Sequence, residues 1–394
     1  MLQKETSISP LRALLLLWLA GIALRLTILA VPPVIPLIHD DLHLSETQVG
    51  ILSGLPMVLF AGAAIAGSLM ISRLGALNAL HIGIAMCAFG SALRGVGPNV
   101  AMLYLGTAVM AFGVAVMQPS LPPLVRAWIP QRIGFATAVY TNGLLIGEIL
   151  PAALTIPLLL PVLKQSWPGS FLFWGLLVAA IGMALIQYAP KIPATAPTAA
   201  SRRWIPDFRD PKIWRIGLLL GSVNATYFSM NGFLPDYLTH TGQPELINSA
   251  LTALNLGQLP ASFLLLASAD RMVRTMWSYM ACGLICLASI LAIVFLGGIW
   301  IVIGAAVWGC AGAAVLVLVL ALPPLISPAE DVHRVTAGMF TISYSCAVIV
   351  PIVAGVLWDI TGWTLAPFIP IGVCSLILIG LAPTVVLREK SAGA

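Results

Sequence analysis

Apolar residues run along this chain in blocks too long to be the buried stripe of a soluble helix. Bounded by charges or by Pro, Gly and Asn turns, the blocks fall at 11–38, 47–72, 77–96, 100–125, 133–161, 169–189, 213–238, 247–269, 275–297, 299–325, 334–358 and 364–387. A helix needs roughly 20 mostly apolar residues to cross the hydrocarbon core of a bilayer. The pattern therefore predicts an all-α membrane protein of twelve transmembrane helices, with no stretch left for a separate soluble domain. The first block exceeds a signal-peptide core and no small-residue cleavage site follows it, so it is expected to stay as the first span. The longest polar stretch, residues 190–212, carries Pro190, Pro193, Pro197, Pro206 and Pro211. It reads as a linker between two six-helix halves, 1–189 and 213–394.

Composition agrees with the pattern: 60% of the residues are hydrophobic and 8% are charged, against roughly a quarter charged in soluble domains. Lys and Arg are retained on the cytoplasmic side of short loops. With the N-terminus inside, Lys4, Arg12, Arg73, Arg126, Arg132, Lys191, Arg202, Arg203, Arg209, Lys212, Arg215, Arg271, Arg274, Arg334, Arg388 and Lys390 fall on that side, and only Arg94 and Lys164 fall outside. Both termini are thus expected in the cytoplasm, in a multi-pass protein of the cytoplasmic membrane. The net charge of +5 follows from topology, and nucleic acid is not implied as a partner. The six cysteines lie in apolar segments without C-x-x-C spacing, so neither a disulfide framework nor a zinc site is indicated.

Sliding the chain against itself by about 200 residues brings the two halves into register, the signature of an internal duplication. Leu121-Pro-Pro-Leu124 meets Leu322-Pro-Pro-Leu325, Arg73 meets Arg271, Pro36 meets Pro235, and Pro151 meets Pro351. On the same offset Arg25 has Asn224 as its counterpart.

With these residues the sequence resembles the major facilitator superfamily along essentially its whole length. That superfamily has a loop signature G-x-x-x-D-R-x-G-R. Ser72-Arg73-Leu74-Gly75 keeps its Arg and Gly without the Asp, and Asp270-Arg271-Met272-Val273-Arg274 keeps Asp-Arg-x-x-Arg. The resemblance implies a cytoplasmic gate motif at Arg73, Gly75, Asp270, Arg271 and Arg274. Within the superfamily the chain is similar to the cyanate and nitroimidazole transporter family. The marks are Leu24-Arg25 before Pro32, Pro33 and Pro36, the turn Leu42 to Ser45, Leu55-Pro56, Gln118, Asn224, Leu234-Pro235, and Leu256-Gly-Gln258. The fold implied is two pseudo-symmetric six-helix bundles.

Two charges lie deep in apolar blocks, where a charge costs several kcal/mol unless it faces the interior or water. Arg25 lies roughly 20 Å into the first span and Glu148 roughly 24 Å into the fifth, at 1.5 Å per residue. The resemblance makes these helices neighbours, so an ion pair is expected, either as a structural latch or as part of a site. Asn224, Tyr227 and Asn231 share one helix face at i, i+3 and i+7. Asn255 and Gln258 share another face, and Gln118, Tyr140, Asn142 and Tyr344 complete a candidate lining, any of which interhelical hydrogen bonding alone would also explain.

The histidines at 39, 43, 81, 240 and 333 lie at helix ends or loops, which leaves no metal cluster and no Ser-His-Asp arrangement. There is no nucleotide-binding Walker sequence either. A non-enzymatic protein without cofactor or metal is expected. The reading is a secondary active transporter that moves a small anionic or polar solute, cyanate-like or a small organic anion, by alternating access with a site at the midplane between the halves. Arg25 supplies the charge that holds the anion, Asn224, Asn231 and Gln118 supply amide hydrogen bonds, and Glu148 carries a coupled proton. The expected partners are the solute, protons and the bilayer, with the protein a monomer. Alternatives are an efflux transporter of weakly polar, nitroimidazole-like compounds and a transporter-like membrane sensor.

Overall fold

The computed structural model describes residues 9–190 and 203–385, apart from the side chains of residues 46 and 47. Most of the expected linker, together with Lys4, Lys191, Arg202, Arg388 and Lys390 of the charge argument, lies outside the described residues. The helices are α1 (Pro10–Leu26), α2 (Ile35–Leu42), α3 (Glu46–Leu74), α4 (Ala76–Arg94), α5 (Val100–Trp128), α6 (Ile133–Leu154), α7 (Leu160–Val162) and α8 (Trp167–Tyr188), followed by α9 (Pro211–His240), α10 (Ile247–Leu256), α11 (Gln258–Met272), α12 (Met276–Phe295), α13 (Ile299–Leu320), α14 (Leu322–Ile326), α15 (Val332–Thr361) and α16 (Phe368–Leu381).

Among the described residues, ten helical stretches are long and apolar enough to cross a membrane. Neither α1 nor α9 is among them. α1 has 17 residues, and α9, although 30 residues long, carries Arg215, Ser222, Asn224, Asn231 and Asp236, which lower its hydropathy. Large apolar side chains such as Phe89, Leu176, Phe295 and Ile360 are exposed, as expected where the surrounding solvent is lipid.

Several apolar blocks are interrupted rather than continuous. The block 11–38 stops being α-helical after Leu26, passes through turns and a 3-10 segment at Pro32–Val34, and resumes as α2. Pro32 and Pro33 lack an N–H and disfavour helical backbone at the residue before them, which suits a break here, and Pro36 falls in the first turn of α2, where a missing N–H is tolerated. The block 247–269 breaks at Gly257, between α10 and α11. A methyl group at Gly257 would sit 2.3 Å from the Ala306 carbonyl oxygen of α13, so the break coincides with a close helix approach. α3 begins in a capping box: the Ser45 hydroxyl accepts from the Gln48 amide, and the Gln48 side chain accepts from the Ser45 amide. That arrangement satisfies donors which the first turn leaves free.

The chain divides into two compact units. The first takes the described residues up to Ile205 together with Ala329–Ala337; the second takes Pro206–Pro328 and the chain from Gly338 onward. In the first unit α4 packs on α5 and α8, α3 on α5, and α1 on α6. In the second, α12 packs on α13 and α16, α13 on α10 and α11, and α9 on α16.

Candidate functional site

The polar groups of the first unit are set by the contact of α1 with α6. A methyl group at Gly21 would lie 2.0 Å from the Tyr140 carbonyl oxygen, one at Gly143 would lie 2.2 Å from that of Trp18, and one at Gly147 would lie 2.4 Å from that of Ile22. Three glycines therefore bring the two backbones into direct contact, the small-residue packing that membrane helices use. One turn beyond Gly21 comes Arg25, and directly after Gly147 comes Glu148. Their side chains meet, with Arg25 Nε 3.3 Å from Glu148 Oε1, and are 9% and 14% exposed.

Two turns earlier on α1, Trp18 donates its indole N–H to Asn142 Oδ1 at 2.9 Å. The helices are thus joined by a polar contact at each end of the glycine stretch. Tyr140 is buried, with its backbone against Gly21. Gln118 in α5 is also buried, and its Oε1 has no hydrogen-bond partner among the described residues.

The second unit holds a neutral network. Asn224 Nδ2 donates to Ser343 Oγ of α15 at 2.8 Å. The Tyr227 hydroxyl donates to Asn255 Oδ1 at 2.7 Å, and Asn255 Nδ2 donates to Asn231 Oδ1 at 3.3 Å. Asn231 in turn donates back to the Tyr227 carbonyl at 2.9 Å, which closes a ring of amides and a phenol between α9 and α10. Gln258 is buried at the start of α11, and buried Tyr344 stacks on Phe340 with ring centroids 5.9 Å apart. Of the gate residues, Arg73, Arg271 and Arg274 are exposed, and Asp270 is half-buried in the last turn of α11. Gly75 joins α3 to α4 at φ 83°.

Sequence reasoning named Arg25, Glu148 and Asn142 but not Trp18, whose indole gives no local sign of an interhelical bond. It counted Arg94, at the end of the block 77–96, only as a basic residue on the outer side. Arg94 is the last residue of α4 and is fully buried. Its place three residues before Gly97, at the loop, disguised it.

An ion pair and amide networks are thus sunk in apolar helices, the mark of a membrane protein with an internal polar site. Residues 17–244 match the model of the Major Facilitator Superfamily, and the chain belongs to that family. It is 26% identical over 370 residues to the uncharacterized transporter YycB of Bacillus subtilis (strain 168), covering 91% of this chain and 89% of that protein. It is 27% identical over 359 residues to the cyanate transport protein CynX of Escherichia coli (strain K12), covering 89% and 90%. The 2-nitroimidazole transporter of the same organism is 26% identical over 232 residues, covering 59% of this chain and 58% of that protein. Among solved structures, the transporter FucP in its outward conformation superposes with TM-score 0.74 at 15% identity over 95% of this chain and 99% of that one. The human organic anion transporter MFSD10 superposes with TM-score 0.74 at 14% identity over 95% and 100%. These structures share the fold.

Proposed function

We propose that the protein is a secondary active transporter of a small anion, driven by protons, with Arg25 as the anion-binding charge and Glu148 as the proton carrier. The observation that carries this reading is the Arg25–Glu148 pair. Burying two charges costs more than their attraction commonly returns, and well-packed apolar residues in their place are often as stable or more so. A pair kept inside an apolar bundle at that cost fits a working role. The guanidinium offers a fixed fork of donors and stays charged at any relevant pH.

In the cycle, protonation of Glu148 neutralises the carboxylate and frees Arg25 to bind the anion. Release of anion and proton on the other side re-forms the pair. Asn142 and Gln118 of the first unit carry amide N–H groups that match an anion's acceptors. The cyanate transport protein and the 2-nitroimidazole transporter among the relatives support small polar solutes as the class. The reading places the protein in the cytoplasmic membrane with both termini inside, supported by the excess of Lys and Arg on one set of loops.

Uptake into proteoliposomes tests it, with cyanate, nitrate and small carboxylates as probes. The expected result is saturable, proton-driven uptake that Arg25→Gln abolishes. Unchanged saturable uptake in Arg25→Gln would remove the anion site, and accumulation under a pH gradient in Glu148→Gln would remove the proton role. A second reading, efflux of weakly polar compounds, is favoured by the buried aromatics of the second unit, Trp308 and the Phe340–Tyr344 stack. Nitroimidazole extrusion that persists in Arg25→Gln is the outcome that would select it.

A further inference from the structure

The break after α1 leaves a question about what holds the end of that helix. Helix C-termini leave backbone carbonyls without intrahelical partners, and α1 gives way to turns at residues 27–30. Arg25 sits at this end: its carbonyl oxygen accepts from the amides of Ile28 and Leu29, at 3.1 Å each. Thr27 is tied to α4 in two places. Its carbonyl oxygen accepts from Arg94 Nη2 at 3.0 Å, and its hydroxyl lies 3.0 Å from Cys87 Sγ.

Arg94 is fully buried, and no carboxylate among the described residues forms an ion pair with it. Its Nη2 also donates to Ser91 Oγ at 3.2 Å, and its guanidinium lies over the Phe171 ring, 4.4 Å from the centroid. Nε and Nη1 have no hydrogen-bond partner among the described residues. Gly106 of α5 leaves the room for the stem, since a methyl group there would sit 2.7 Å from Arg94 Cγ. A buried cation without a counter-ion is costly. Two features here offset the cost: the ring face, which attracts cations, and the negative end of the α1 dipole, which favours a positive charge within its last turn.

We propose that Arg94 is a positioning residue for the Arg25–Glu148 pair. It serves as the C-terminal cap of α1 from a neighbouring helix and fixes the depth at which Arg25 meets Glu148. With no exposed surface of its own, Arg94 does not touch solute; it acts through Thr27, two residues beyond Arg25. The consequence for transport rests on the anion reading above, while the consequence for α1 does not.

The test uses the full chain in liposomes, with Thr27→Cys introduced, Cys87 kept and the other five cysteines replaced by serine. The new thiol lies beside Cys87, so mild oxidation should join them. Arg94→Met, which removes a charge-assisted hydrogen bond, is expected to slow this disulfide by roughly tenfold, with Arg94→Lys intermediate. An undiminished rate in Arg94→Met overturns the proposal. In the background with natural cysteines, Arg94→Met should raise the KM for cyanate while Vmax stays near that of the unaltered protein. A fall in Vmax at unchanged KM overturns the role in positioning the binding charge. If Arg94→Met does not accumulate in the membrane, Arg94→Lys carries both comparisons with the same signs. If Arg25→Gln alone leaves the cyanate KM unaltered, the anion reading has failed, and the cross-linking rate decides the role of Arg94 by itself.

Discussion

The two helix pairs that the repeat aligns, α1 with α6 and α9 with α15, pack differently. In the first, α1 and α6 touch backbone to backbone, and the added-methyl distances at Gly21, Gly143 and Gly147 are to carbonyl oxygens at 2.0–2.4 Å. In the second, the α9 glycines receive side chains of α15, Gly217 facing Ile342 at 2.8 Å and Gly221 facing Cys346 Sγ at 2.9 Å, while direct backbone contact in that unit falls to α10 and α13, at Gly257 and Gly309. A carbonyl cannot move without its helix, whereas the end of a side chain can turn aside. The polar groups follow the same division. Arg25 and Glu148 form an ion pair beside the rigid contact, whereas Asn224, which the repeat aligns with Arg25, makes a neutral bond to Ser343 beside the adaptable one. Of these two helix pairs, the one in direct backbone contact carries the charges.

This contrast can be broken most sharply at the pair. Glu148→Leu leaves the guanidinium buried without its partner, and unfolding in mixed micelles should show a loss of about 3–5 kcal/mol. The double variant Arg25→Leu, Glu148→Leu should recover most of that stability and still lack uptake; if it stays as unstable as the single variant, the pair is not the source of the loss. Next in size is the backbone contact. Gly143→Ala drives a methyl into the Trp18 carbonyl and should cost about 1–3 kcal/mol, the usual range for overpacking. Gly221→Ala meets a movable Cys346 side chain and should cost clearly less, so equal melting shifts for the two would erase the distinction between the two helix pairs.

Asn224→Ala removes a single neutral hydrogen bond and should cost about 1 kcal/mol in the same unfolding assay. The smallest effect is expected from Tyr227→Phe, where Asn255 keeps its bonds to Asn231 and the Leu251 carbonyl. A melting temperature that falls further than that of Asn224→Ala would mean the phenol organises the whole ring.

Much of the candidate site was legible from the chain because a charge in an apolar run is its own signal. Arg25 and Glu148 stood out in this way, and their similar depth anticipated the contact. Asn224, Tyr227 and Asn231 were legible from helical spacing, since residues three and four apart share a face. Trp18 and Arg94 were not. An indole is amphipathic and common in membrane helices, so nothing local separates one that donates to Asn142 from one that faces lipid. Arg94 stands beside a loop, where an arginine normally reaches water, and only the folding of Phe171, Ser91 and Thr27 around it turns it into a buried cap. The interruption at residues 27–34 was written in the prolines, yet an apolar block reads as one span because hydropathy does not register backbone geometry.

The sequence by itself determined that this chain lives in a membrane and which few residues carry polarity into the apolar interior. Those properties depend on local composition and spacing, which solvation and helical periodicity act on directly. Only the tertiary structure decided which polar groups meet: Arg25 with Glu148, Asn224 with Ser343, Tyr227 with Asn255, and Arg94 with Thr27. Partners more than 25 residues apart are chosen by how closely two helices approach and at what rotation, and that is set by glycines and side-chain volumes acting across the interface.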